Sequence, residues 1–375
     1  MRLDLVGPTN RMASVAFDPE RSVNWFEETI TPPGVGTAAQ KGLRYTAGVQ
    51  IAYTFGDGPN YAEFTQDGRA FAINGSAFAE VFSDGTQTEY GMVAVDADYR
   101  ATICSNGSAG DQLFITAGGY GYIFTLSTNA FAAIADVDFP NGTALMGEFM
   151  DGYFLVQVAN TRRFQISALE DGTSWDGLDV AERSEGSDNI AFLKRNHREI
   201  WLVGTRTGEV WYDNGDVDFP FAPIQGVFLE RGCVASFSAS RTAETLAWLD
   251  QDERGGGVVV LADGYRPEQI STYAINRQIA DQSTTLSQAV AFTMQEQGHL
   301  FYWLDLPNSD TTPVFDLTER SWHERALWDT TSGSWQRHVA WTHMYAFGKH
   351  FVGDRRTFVI YEINPSFYEN EIAVP

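Results

Sequence analysis

Cysteine is almost missing from this chain: Cys104 and Cys233 are the only two. Two cysteines cannot build a disulfide framework, and their separation fits no metal-binding spacing, so both are expected to be small buried hydrophobes. Cations are scarce as well, with 25 Lys and Arg against 49 Asp and Glu, a formal charge of −24. Affinity for a phosphate backbone comes mainly from Lys and Arg displacing counterions, so a surface of this sign repels nucleic acid rather than gripping it. No run approaches the ~18 apolar residues that a membrane-crossing helix needs, which argues against membrane insertion. The start runs from Met1 through Arg2 and Asp4 to Pro8 without an apolar segment. No secretion signal is expected there, and synthesis in a cytoplasm is.

Catalytic and cofactor signatures are missing too. There is no Gly-x-Ser-x-Gly elbow, and Gly255-Gly256-Gly257 lacks the Lys-Ser/Thr that would make it a phosphate loop. His323, His338, His343 and His350 are separated by 15, 5 and 7 residues, which matches no metal-ligand spacing. They read as polar or packing residues, with His338 and His343 on opposite faces of a strand. The pairs Arg162-Arg163 and Arg355-Arg356 read as solvated turns or salt-bridge partners, not as a nucleic-acid stripe. Ser167 to Trp175 approximates a sialidase-type Asp box, but Asp171 and Gly172 are adjacent, so it reads as a capped turn packing Trp175. Glycosidase chemistry needs two carboxylates ~5 Å or ~6.5–9.5 Å apart, and among 49 acidic residues the sequence singles out no pair. No cofactor, metal or catalytic residue is expected.

What the chain has in quantity is Gly (35), Phe (26), Tyr (15) and Trp (10), a composition of many short strands and tight turns. The strands recur. An apolar strand appears at Tyr61–Phe64, Gln112–Thr116, Gly152–Gln157, Glu199–Val203, Thr245–Leu249, His299–Leu304 and His350–Val352. We read each as the second strand of a unit. A third strand follows each in step, at Ala70–Ile73, Gly121–Phe124, Arg163–Ile166, Glu209–Tyr212, Val258–Leu261, Pro313–Asp316 and Thr357–Tyr361. Asp67-Gly68, Gly118-Gly119, Thr207-Gly208 and Gly255–Gly257 lie between, residues suited to hairpin turns. A four-stranded meander repeating every ~40–50 residues is the signature of propeller blades, which stack radially to bury their faces. The fold class is therefore all-β, a propeller of six or seven four-stranded blades, with a pair of β-sandwiches as the structural alternative. Asp329 to Trp335 reads as loop. Residues 46–375 form the propeller, and residues 1–45 an extended arm, broken by Pro32-Pro33-Gly34 and Gly36, that closes the ring or reaches a neighbouring subunit.

One stretch is more specific. From Asp171 to Thr272 the chain carries Asp171-Gly172-Thr173-Ser174-Trp175, Leu178-Asp179 with Glu182, and His197-Arg198-Glu199-Ile200-Trp201-Leu202. Glu209-Val210-Trp211-Tyr212, Pro220-Phe221, Gly264-Tyr265-Arg266-Pro267 and Ile270-Ser271-Thr272 follow. In this order and spacing it resembles the packaged-DNA stabilisation proteins of short-tailed bacteriophages, also called tail accessory or nozzle proteins. Val23-Asn24-Trp25-Phe26-Glu27 with Pro32-Pro33-Gly34 is similar to their N-terminal segment. Relative to that family, the C-terminus after Tyr361 looks short.

The resemblance implies a structural virion protein of the tail: a hexamer of this chain forming a ring-shaped nozzle that extends the DNA exit channel and helps retain and then deliver the genome. It implies as partners the head-to-tail adaptor, the tail needle or plug, and a tailspike or tail fibre, with genomic DNA passing without tight binding. Acidic side chains are then expected on lumen-facing loops, and Phe219, Pro220 and Phe221 are candidate contacts to another subunit or to the adaptor. A propeller glycoside hydrolase or lyase, marked by facing buried carboxylates in a central pocket, is the rival reading. A cellular propeller scaffold is the second rival, although WD and kelch signatures are not visible.

Overall fold

Two-residue turns with positive φ set the hairpins. Asp67-Gly68 (51° and 79°), Asp151-Gly152 (48° and 95°), Gln297-Gly298 (52° and 90°) and Phe347-Gly348 (54° and 74°) each join a first strand to a second. Such turns match the right-handed twist of the strands they connect. A computed structural model describes residues 21–30, 40–96, 98, 100–251, 257–282 and 284–372. Pro32–Gly34, Gly36, Gly255, Gly256 and the first 20 and last three residues lie outside the described residues.

After β1 (Trp25–Ile30), β2 (Gln40–Tyr45) and β3 (Gly48–Thr54), the strands fall into seven antiparallel sheets. Blade 1 is β4–β7 (Asn60–Gln66, Arg69–Asn74, Ala77–Val81, Gln87–Met92). Blade 2 is β8–β11 (Thr102–Ser105, Gln112–Ala117, Tyr120–Thr125, Ala130–Ala133). Blade 3 is β12–β15 (Ala144–Met150, Tyr153–Val158, Arg163–Ala168, Asp171–Glu182). Blade 4 is β16–β19 (Ile190–Asn196, Glu199–Gly204, Gly208–Asp213, Phe221–Leu229), and blade 5 is β20–β23 (Ser240–Arg241, Leu246–Gln251, Gly257–Asp263, Arg266–Gln269). Blade 6 has five strands, β24–β28 (Val290–Glu296, His299–Asp305, Thr312–Asp316, Ser321–Asp329, Ser334–Arg337). Blade 7 is β29–β31 (Ala340–Ala346, Lys349–Asp354, Val359–Asn364) with β3 as its fourth strand.

The count is thus seven. β3 pairs antiparallel with β31, from Gly48 opposite Asn364 to Thr54 opposite Val359, so a strand from near the start completes the last blade and closes the ring. The first strands β4, β8, β12, β16, β24 and β29 touch their neighbours around the axis. The core lies between blades: Phe71, Phe78 and Phe124 pack where blade 1 meets blade 2, and Trp201 meets Trp248 edge-on between blades 4 and 5.

Several expectations change. The closing strand is Gly48–Thr54, not a segment of residues 1–45; the described part of that arm pairs with itself as the ribbon β1–β2 and docks on β27. Asn24 makes the dock: its Nδ2 donates to the Ala326 carbonyl and its Oδ1 accepts from the Ala326 N–H, each at 2.9 Å, while Phe26 is buried against His299 and Phe301. In blade 1, Tyr61–Phe64 lies in the first strand and Ala70–Ile73 in the second; the other six hairpins fall as read. The Thr207-Gly208 turn shifts, because Gly208 opens β18, where a Cβ would stand 2.8 Å from Leu229. Asp329 to Trp335 is a hairpin that sets Trp328 edge-on to Trp335, not a loop. Tyr273–Ala280 is a helix burying Ala274, Ile275 and Ile279, a spacing of one helical face that strand periodicity hides. His338 precedes β29 rather than sharing an unbroken strand with His343.

Candidate functional site: a blade-coupling face and a plugged axis

Most of the signature residues gather where first-to-second and third-to-fourth strand turns lie, and there they tie neighbouring blades from 2 to 5. Gln112 of blade 2 donates from Nε2 to Asp171 Oδ1 (3.3 Å) and accepts the Gly172 N–H (2.8 Å) of blade 3. Gly172 packs so closely that a Cβ would meet Phe154 and Ile123. Trp175 is buried, with Nε1 donating to the Gly172 carbonyl at 2.8 Å and its N–H held by Asp136. Asp171 also accepts from Thr173 N and Oγ1, the capped turn expected there.

His197-Arg198 is the two-residue turn between β16 and β17, with His197 at φ 53°. Its ring Nε2 lies 3.1 Å from the Glu244 carbonyl of blade 5, and Arg198 reaches back 3.1 Å to Asp151 of blade 3. Gly264 (φ 56°) and Tyr265 form the turn between β22 and β23, and the Tyr265 hydroxyl donates to Glu199 Oε1 at 2.5 Å. Glu199 also accepts from Trp201 Nε1 at 3.3 Å, and its carboxylate pushes the Tyr265 phenol up to about 12. Pro267 lies in β23 opposite Ala262, Trp211 is buried edge-on to Phe164, and Tyr212 stays exposed.

His197, Glu199, Trp201, Gly264 and Tyr265 line one open cavity of about 610 Å³ between blades 4 and 5, with Glu244, Asp263, Glu268 and Arg320 around it. The structure thus brings together residues 60 or more positions apart in sequence, but as couplers of blades. Phe219, Pro220 and Phe221 are different. Pro220 and Phe221 are buried and Phe219 is half-buried, with the two rings packed on Phe164 and Tyr153 of blade 3. Apolar surface already spent on a neighbouring blade is not free for a partner, so this run is blade packing.

No local pattern in the sequence marks the axis. Arg100, just before β8, is 6% exposed, with its guanidinium carbon 3.8 Å from the Trp341 ring centre and 5.8 Å from those of Tyr61 and Phe237. These partners come from blade 7, blade 1 and the segment before blade 5, so one guanidinium plugs the centre. Arg100 itself lines a cavity of about 210 Å³, with Glu63, Glu148, Lys194 and His343 among others. Burial pushes the Glu63 carboxyl well above the usual range, while Glu148 is paired with Lys194 at 3.5 Å. This volume is below the ~300–1,000 Å³ of ordinary ligand clefts. Among the described residues no group of His, Cys, Asp and Glu is arranged to hold a metal, and no helix is long and apolar enough to cross a membrane.

No curated protein matches the chain. Solved structures resemble it in fold alone. YCF48 from Cyanidioschyzon merolae superposes with a TM-score of 0.54 at 12% identity, over 86% of this chain and 100% of that one. The Pan2 WD40 domain of Neurospora crassa gives 0.52 at 9% identity, over 85% and 96%. The Phage_stabilise family, described as bacteriophage P22 Gp10, β-propeller, matches residues 30–368. That span takes in β2, all seven blades and the turns between them, and the chain belongs to this packaged-DNA stabilisation, or tail accessory, family of bacteriophage propellers.

Proposed function

We propose that this chain acts by assembly and geometry, as a ring of six copies that extends the DNA exit channel of a short phage tail and helps retain the packaged genome until delivery. The observation that carries the reading is membership of the phage-stabilisation family over residues 30–368. Two physical features support it. Each propeller is plugged on its own axis by Arg100, so a duplex would run between copies rather than through one. A net charge of −24 keeps the wall of such a channel from adsorbing DNA, within the ~8 Å over which salt leaves charges unscreened. Acidic side chains on the loops facing the lumen would do this. The head-to-tail adaptor, the needle or plug, and the tailspike or fibre are the neighbours this role requires.

The test is removal of the gene from the phage. Particles lacking the protein should package DNA and then lose it, and complementation with the intact chain should restore retention. Particles that keep their genome but fail to degrade a surface glycan would support the hydrolase reading instead.

A further inference from the structure

We propose that copies join by a knob-into-cleft contact: two bare apolar tips on the rim of blade 3, Val137 and Leu178, seat in an aromatic cleft of the next copy, between the outer strands of its blades 6 and 7. This contact rests on the ring of copies proposed above and supplies its joint. Where the β1–β2 ribbon meets β27, β3 and the residues after β31, it leaves a hollow of about 370 Å³ whose lining includes Trp25, Tyr45, Gly48, Ala326 and Tyr368. That volume falls within the ~300–1,000 Å³ of ordinary ligand clefts. Its aromatics are not spent on the fold. Tyr368 is 82% exposed, Trp25 46% and Tyr45 38%, with Tyr45 5.7 Å from Tyr368 and 6.5 Å from Trp25 between ring centres. Trp and Tyr around a hollow make the anchor pockets of protein interfaces, and exposed apolar surface of this kind marks a contact.

The knob is barer still, with Val137 94% exposed and Leu178 87%. Carboxylate-capped turns hold both tips out: the Asp138 N–H donates to Asp136 Oδ1 at 3.0 Å, and the Leu178 N–H to Asp176 Oδ1 at 2.9 Å. Gln165 Nε2 ties the two turns together, donating to the carbonyls of Asp138 (2.9 Å) and Asp176 (3.0 Å). The backbone is therefore fixed before a partner arrives, which lowers the ordering cost of docking. Charge selects the cleft. Asp136 and Asp138 flank Val137, and Asp176 and Asp179 stand beside Leu178, so a carboxylate-lined hollow repels the knob. The cavity between blades 4 and 5 presents Glu199, Glu244, Asp263 and Glu268, whereas no Asp or Glu lines the cleft at Trp25. Position selects the symmetry. Knob and cleft lie half the seven-bladed circle apart, so two copies cannot exchange both contacts at once. The contact is head-to-tail, the kind that closes cyclic rings.

The test uses assembled particles whose chain carries Ala135→Cys beside the knob and Glu369→Cys beside the cleft, both exposed, while Cys104 and Cys233 stay buried. Treated with a short bismaleimide, they should give a ladder of linked chains reaching six on a denaturing gel, and either single variant should give none. Adding Leu178→Asp should erase the rungs, whereas Val217→Asp, at an equally bare tip of blade 4 (98% exposed), should leave them. If the double variant forms no particles, particles mixing the two single variants carry the same readout as a dimer rung. Electron micrographs separate the two ways of failing. A six-copy ring without rungs means that something else, this chain's residues 1–20 or another tail protein, covers the cleft; that overturns the contact and leaves the ring. Particles with no ring of this chain overturn both. A ladder untouched by Leu178→Asp also overturns the contact.

Discussion

Closure by β3 makes one residue unusually informative. Val49 is fully buried, faces Ile363 across the β3–β31 ladder, and is held on the other side, where its N–H donates to Asn370 Oδ1 (3.1 Å) and its carbonyl accepts the Glu371 N–H (2.9 Å). Val49→Ala removes two carbons, about 1.6 kcal/mol of transfer at ~0.8 per methylene, and the cavity left behind brings the cost to about 2–3 kcal/mol. Val49→Asp buries a carboxylate without a cation and should cost about 3–5 kcal/mol. Unfolding entropy of ~2 cal/mol/K per residue over so long a chain makes each kcal/mol worth on the order of 1–2 °C. Alanine should therefore lower Tm by about 2–6 °C, and aspartate by more. Limited proteolysis under native conditions should cut the aspartate variant at β3 before any other blade, because the closing strand is what that change releases. If both variants melt within ~1 °C of wild type and keep β3 protected, the ring is not held shut by this strand.

Three further outcomes follow from buried groups. Burial holds His338 and His343 down at about 3, against ~6.5 in an unfolded chain. Each therefore contributes stability that is whole above pH ~6.5 and is lost as pH falls toward 3. His343→Gln should flatten the fall of Tm between pH 6.5 and 4, and an unchanged slope would remove histidine from the acid limb. Buried carboxyls such as Glu63 and Asp305 are raised and act with the opposite sign, so the comparison must be with wild type at each pH. The thiol of Cys233 is pushed up to about 12 and Cys104 also rises, both by burial. Neither should react with a disulfide reagent in the native protein and both should in denaturant; rapid native labelling would contradict their packing. Trp201→Ala should cost about 3–5 kcal/mol in denaturant melts. Tyr265→Phe, at a partly exposed hydrogen bond, should cost less than about 1 kcal/mol. The reverse order would mean the signature is not chiefly blade coupling.

The rhythm of the strands was legible because each hairpin is local: Glu199–Val203 and Glu209–Tyr212 announce themselves by alternation and by the turns around them. Blade 1 misled because Tyr61 and Phe64 give its innermost strand the aromatic look of a second strand. The closing strand was hidden for a different reason, as Gly48–Thr54 pairs with residues some 300 positions away and no local pattern records that partner. Tyr273–Ala280 carried its signal openly in Ala274, Ile275, Gln278 and Ile279, but a search tuned to period two passes over it. Arg100 was illegible, since a single arginine beside Tyr99 and Ala101 says nothing of Trp341 across the axis. For the signature residues, only the fold shows that His197, Glu199, Trp201 and Tyr265 join blades 4 and 5.

Whether the propeller is one wall segment of a DNA channel is decided by reconstruction of the intact tail by electron cryomicroscopy. A ring of six seven-bladed densities is expected around the tail axis, each with its own centre filled at Arg100, enclosing a passage walled by Asp and Glu. A tail without these propellers, or a passage lined by Lys and Arg, would contradict it.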